Sequence, residues 1–91
     1  MIKIGVFGAG HLGRIHVQQW QNVEGAEVVG LFDLDSEKAK AVAEEYNVPV
    51  ADDIEALIDL CDAADIVTTT STHYELAEKV IRKGKHLFIE K

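Results

Sequence analysis

Ninety-one residues, 47% hydrophobic and 27% charged, make a chain of ordinary globular composition near the low end of what folds around one core. Asp and Glu outnumber Lys and Arg by 16 to 9, a net charge of −7, which argues against nucleic acid or an anionic membrane as partner, since both need a basic face. A lone cysteine, Cys61, excludes an internal disulfide and suits a reducing compartment, and no stretch approaches the roughly 20 apolar residues of a membrane helix. No charged leader precedes the first apolar run, so the expectation is a soluble, cytoplasmic protein.

Residues 2–7 (IKIGVF) are a short apolar run, read as the first strand. A helix is expected from His11 to about residue 22, amphipathic through Leu12, Ile15, His16 and Gln19 or Trp20. Gly25 closes the turn after it, and residues 27–32 (EVVGLF) give the second strand. Asp35-Ser36-Glu37 places a capping side chain and an acidic first turn ahead of the stripe Ala39, Val42, Ala43, Tyr46. Asn47 suits the left-handed end of that helix. Residues 48–51 (VPVA) read as a short third strand, sent to a sheet edge because Pro49 has no N–H to donate. Asp52 with Glu55 resembles a capping box for a third helix lined by Ile54, Leu57, Ile58 and Cys61. Residues 65–70 (DIVTTT) form the fourth strand, and Thr72 with Glu75 a second capping box. The helix that follows turns Ala77, Val80 and Ile81 inward and stops at Gly84, and residues 86–90 (HLFIE) are the fifth strand.

Near-continuous apolar strands separated by helices mean a parallel sheet covered on both faces. Right-handed crossovers then give a doubly wound α/β sheet of Rossmann type, five strands in the order 3-2-1-4-5, with residues 1–91 as one dinucleotide-binding domain.

Gly8-Ala9-Gly10-His11-Leu12-Gly13 is a G-x-G-x-x-G turn in its required setting, after a strand and opening a helix. Gly8 permits the tight turn, Gly10 lets a pyrophosphate approach the backbone, and Gly13 lets the helix pack close. The helix N-terminus then offers N–H groups to phosphate without any lysine. Asp33 ends the second strand 20 residues after Gly13, where an acid accepts hydrogen bonds from an adenosine ribose. Asp33 and Asp35 together would repel a 2′-phosphate, and no basic residue follows until Lys38, which points to NAD over NADP. The plainer reading of Asp33 is a helix cap. The remaining polar candidates, residues 51–53, 68–73 and 90–91, fall on the same carboxyl-end edge of the sheet. His16, on the inner stripe of the first helix, reads as a hydrogen-bonded core histidine, His11 as free to face phosphate, and His86 as structural. Cys61 completes an apolar face with no neighbour to activate it, and Trp20 and Tyr46 read as packing residues.

The glycine turn, His16, the Thr68-Thr69 pair with His73, Gly84-Lys85-His86 and the terminal Glu90-Lys91 together resemble the N-terminal domain of the Gfo/Idh/MocA oxidoreductases, over the whole chain. In that family the fourth strand usually ends in Thr-Pro with a histidine four residues on, and the fifth in Glu-Lys-Pro. His73 keeps its place 11 residues before Gly84, whereas Thr69 stands where the proline is usual. The resemblance implies that Thr68, Thr69, Thr70 and His73 border the cofactor, with Thr68 and His73 at the nicotinamide ribose. It puts Glu90 beside the cofactor and makes Lys91 a catalytic group near the nicotinamide.

It further implies hydride transfer between NAD and a hydroxyl carbon of a sugar, polyol or related small molecule. The acid–base pair, most of the substrate pocket and the usual oligomer interface would lie in a second domain that these 91 residues lack. The chain alone is then expected to bind nucleotide without turnover. Two other readings stand beside this one: a non-catalytic or designed nucleotide-sensing module, and an S-adenosylmethionine-dependent methyltransferase, which shares the glycine-rich loop and the acid after the second strand. The fifth strand, apolar and at an edge, is expected to pair with a second copy of the chain.

Overall fold

The alternation of aliphatic runs and amphipathic segments folds into β1 (Ile2–Phe7), α1 (His11–Gln21), β2 (Ala26–Phe32), α2 (Ser36–Tyr46), α3 (Ile54–Leu60), β3 (Ala63–Ile66), α4 (Thr70–Arg82) and β4 (His86–Ile89). The computed structural model describes residues 1–67 and 70–89, the side chains of 70–73 excepted. All strand pairs are parallel, in the order β2-β1-β3-β4. Because side chains alternate across a strand, each strand feeds two cores. Ile4, Val6, Val28 and Leu31 pack under α1 and α2 with Val17, Ala39 and Val42. Phe7, Ala64 and Ile66 pack under α3 and α4 with Leu57, Ile58, Leu76 and Val80. Burying each of the larger side chains contributes about 1.5–3 kcal/mol, and the strands covered on both faces are β3 and, from Ile4 onward, β1 at the centre.

Among the described residues the sheet has four strands rather than the expected five. Residues 48–51 lie beside β2 as foreseen, but they make only one bridge, Val50 to Leu31. Two backbone bonds hold it, Leu31 N–H to the Pro49 carbonyl at 3.0 Å and Ala51 N–H to the Leu31 carbonyl at 2.9 Å. Pro49 donates nothing, so the ladder stops there. The segment expected as the fourth strand is β3, and it begins earlier, at Ala63, and ends at Ile66. Ala63 and Ala64 have low intrinsic strand preference, but here they are wholly buried between β1 and β4, and burial overrides propensity.

Helix ends follow local chemistry closely. The Asp35 carboxylate accepts from the Glu37 and Lys38 amides, and Asn47 ends α2 at φ 56°. The cap of α3 is Asp53, not Asp52; its carboxylate accepts from the Ala56 amide at 3.0 Å. α4 begins at Thr70, so Thr72 lies inside it rather than at its cap. Among its described side chains Leu76 and Val80 are buried, while Ile81 is 63% exposed rather than turned inward. Leu12 in α1 is likewise exposed; Gly13 and Val17 are the residues that helix buries.

Candidate functional site

Three carboxyl ends of strands meet where the glycine turn leaves the sheet. Gly8 N–H donates to the Phe32 carbonyl at 2.8 Å and Val67 N–H to the Phe7 carbonyl at 2.8 Å, so the ends of β1, β2 and β3 are tied together. Gly8 holds φ at 122°, a conformation that a side chain would strain. A Cβ on Gly13 would stand 1.9 Å from the Gly8 carbonyl oxygen, so α1 approaches the turn at a distance only glycine allows. At Gly10 an added Cβ meets none of the described residues within 4 Å. That position faces open space, as required where a ligand is to come against the backbone.

Gly10 is also the N-cap of α1, and no side chain caps it. The first intrahelical bond is Arg14 N–H to the Gly10 carbonyl at 3.0 Å, which leaves the amides of His11, Leu12 and Gly13 without partners inside the helix. Their summed partial charge, with no acidic residue in the first turn to neutralise it, favours an anion. The Arg14 guanidinium is engaged elsewhere, with Glu45 of α2, whose carboxylate raises its pKa.

Asp33 is held at both carboxylate oxygens. One oxygen accepts from the Ala9 amide at 2.7 Å, inside the glycine turn, and the other from the Asp35 amide at 2.8 Å. A carboxylate has about four acceptor sites, so two remain for hydroxyl donors. It therefore braces the turn and caps its own loop, while the cap of α2 is Asp35. Beside it, Phe32, Leu34, Ile54, Leu76 and Lys79 line an apolar recess of about 150 Å³, wide enough for part of a flat ring. A larger depression of about 770 Å³, lined by Met1, Lys3, Gln21, Asn47 and Pro49, opens at the opposite, amino-terminal edge of the sheet and touches no residue of the turn.

The structure thus brings together Gly8, Ala9, Gly10, His11, Leu12, Gly13 and Asp33. Thr68, Thr69, Glu90 and Lys91 lie outside the described residues, as do the side chains of Thr70 and His73. His86 stands at the start of β4, away from the turn. Cys61 is buried at the end of α3, and burial pushes its thiol pKa up, the reverse of activation.

One residue escaped the sequence reading altogether. Asp65 is the only buried charged residue among those described, 1% exposed in the middle of β3. A single oxygen, Oδ2, takes hydrogen bonds from His16 Nδ1 at 2.6 Å and Trp20 Nε1 at 2.8 Å, both from α1. His16 is thus the hydrogen-bonded core histidine its position implied. The signal was available: an acid inside the run AADIV, with His and Trp four residues apart on the facing helix.

A strand-turn-helix phosphate cradle with an acid ending β2 defines a dinucleotide-binding Rossmann domain. Residues 2–91 match the GFO_IDH_MocA family, described as "Oxidoreductase family, NAD-binding Rossmann fold", and the chain belongs to it. Among its relatives is UDP-N-acetylglucosamine 3-dehydrogenase of Acidithiobacillus ferrooxidans, 40% identical over 99% of this chain and 28% of that protein. The solved structure of that enzyme superposes with a TM-score of 0.91 over 99% of this chain and 29% of its own. Inositol 2-dehydrogenase of Rhizobium meliloti is 37% identical, again over 99% of this chain and 28% of the relative. The myo-inositol dehydrogenase of Lactobacillus casei, solved in complex with NAD(H) and myo-inositol, is 33% identical with a TM-score of 0.91, over all of this chain and 28% of that one. The chain therefore spans little more than a quarter of the length of these relatives. Membership in an oxidoreductase family removes the methyltransferase reading.

Proposed function

We propose that this chain is the NAD-binding part of a dehydrogenase acting on a hydroxyl carbon of a sugar, polyol or related compound. The observation that carries the cofactor assignment is the open face at Gly10 under an uncapped helix N-terminus, with Asp33 braced beside it. The pyrophosphate would lie against the amides of residues 10–13. The adenosine ribose would reach the free acceptor sites of Asp33, and the adenine the recess beside Leu34 and Ile54. When bound, NAD supplies the hydride acceptor. Named relatives support the substrate class, since two of them act on inositols and one on a nucleotide sugar. Thr68, Thr69, Thr70, His73 and Glu90 are proposed to border the nicotinamide half, and Lys91 to orient substrate there.

The preference for NAD over NADP rests on how Asp33 is held. Both oxygens are pinned by backbone amides, so the carboxylate cannot turn away from an incoming 2′-phosphate. Replacing Asp33 with Ser is expected to weaken NAD and to narrow the NAD-to-NADP affinity ratio by about tenfold or more, measured by calorimetric titration. A ratio that does not move would overturn the preference.

Substrate pocket and acid–base groups belong, on this reading, to sequence beyond these 91 residues, and the chain alone binds nucleotide without turnover. The outer edge of β4, which pairs with no other strand among the described residues and has Phe88 48% and Ile89 47% exposed, is proposed to pair with a second copy of the chain. A nucleotide-sensing module without chemistry is the second reading, and it shares every described contact.

A further inference from the structure

The Asp65 cluster has no place in the binding scheme above, and its energetics are unfavourable as plain core packing. A buried carboxyl group costs several kcal/mol in lost hydration, and an apolar replacement of similar shape is often as stable or more so. Here the second oxygen, Oδ1, is buried with no hydrogen-bond partner among the described residues, which adds to the cost. What such a group does supply is direction. Apolar contacts tolerate rotation and sliding, whereas two N–H donors converging on one oxygen do not.

Helix α1 needs that direction. Its buried residues are Gly13 and Val17, and its polar ties to α2, Arg14 to Glu45 and Gln21 to the Tyr46 carbonyl, are solvent-exposed. His16 and Trp20 lie one turn apart on a single face, and both reach Asp65 on β3. Trp20 also meets the Phe88 ring edge-on, centroids 5.4 Å apart, which ties the same face to β4. At its other end the helix is fixed by the close approach of Gly13 to the Gly8 carbonyl. The amides of residues 11–13 stand at that end, about one turn before His16. Their usefulness to a phosphate depends on aim, because a misplacement of about 1 Å in a positioned group can cost on the order of a hundredfold.

We propose that Asp65, through His16 and Trp20, is a positioning residue for the pyrophosphate: it sets the rotation of α1 so that the amides of its first turn converge on the anion. This inference rests on the cofactor reading above. The experiment separates ligands that use the helix N-terminus from one that does not. ADP-ribose and adenosine are titrated against the unaltered chain and the variants Asp65→Asn, His16→Leu, His16→Asn and Trp20→Phe, with helical content followed by circular dichroism. His16→Leu and Trp20→Phe should bind ADP-ribose about tenfold more weakly, and Asp65→Asn, which keeps an acceptor oxygen but not its charge, about threefold more weakly, while adenosine stays within about twofold. His16→Asn, whose amide N–H stands where the ring Nδ1 stands, should recover most of the loss.

Equal losses for both ligands, or no loss for ADP-ribose, would show a cluster that serves stability alone. Should Asp65→Asn fail to fold, the contrast between His16→Leu and His16→Asn decides the matter unaided. An unaltered chain that bound neither ligand would overturn the cofactor reading itself and this inference with it. An unaltered chain that bound both, with no difference between variants, would overturn only the inference.

Discussion

A methyl group added at Gly13 would lie 1.9 Å from the Gly8 carbonyl oxygen, a backbone atom that has no freedom to withdraw. Added at Gly10 it would meet none of the described residues within 4 Å. The two substitutions therefore separate folding from binding. Gly13→Ala is expected to cost about 1–3 kcal/mol or more in denaturant unfolding and to lose nucleotide with it. Gly10→Ala should cost under about 1 kcal/mol, the loss of a tolerable N-cap, yet weaken NAD by tenfold or more in a titration. Equal effects of both on stability would contradict the roles assigned to them. Cys61 makes the opposite point about chemistry: burial raises its thiol pKa, so the reactive thiolate forms only above the ordinary thiol range. Alkylation of the folded chain at neutral pH should be far slower than that of the unfolded chain, and it should accelerate as the pH rises.

Elements were more legible in the sequence than their ends. Asp35, Asn47 and Gly84 mark helix boundaries by chemistry that acts within a few residues, and all three stand where that chemistry places them. The third strand failed for a reason also within view, since Pro49 removes a donor from a four-residue ladder. The early start of β3 could not be read, because Ala63 and Ala64 become strand residues only when β1 and β4 enclose them. Strand β4 carries the prediction proper to this scale. Its outer edge has no paired neighbour among the described residues, and Phe88 and Ile89 leave it apolar. Sedimentation at rising concentration should show association that Phe88→Lys suppresses, whereas a monomer at all concentrations would exclude pairing through this edge.

At the scale of the whole molecule, binding and folding are one equilibrium. A ligand held only by the native state stabilises it by about 2.7 kcal/mol at a hundred times its Kd. For a chain of this size that corresponds to a rise in Tm of roughly 10–20 °C. Thermal unfolding with and without NAD should show it, and S-adenosylmethionine should not. Both cores contribute to that coupling, because the turn is tied at once to the ends of β1, β2 and β3.

Read along the chain, the residues already specify a doubly wound sheet, a phosphate-binding turn and an acid 20 positions on, because each depends on local spacing and on the conformational limits of glycine. Folding in space decided the rest. Asp33 holds the turn through the Ala9 amide, since the ends of β1 and β2 lie side by side only in the sheet. Asp65, an ordinary acid in sequence, becomes the anchor of α1 because β3 and that helix, 45 residues apart along the chain at Trp20, meet face to face. Long-range contacts of this kind have no period, so no window of sequence displays them.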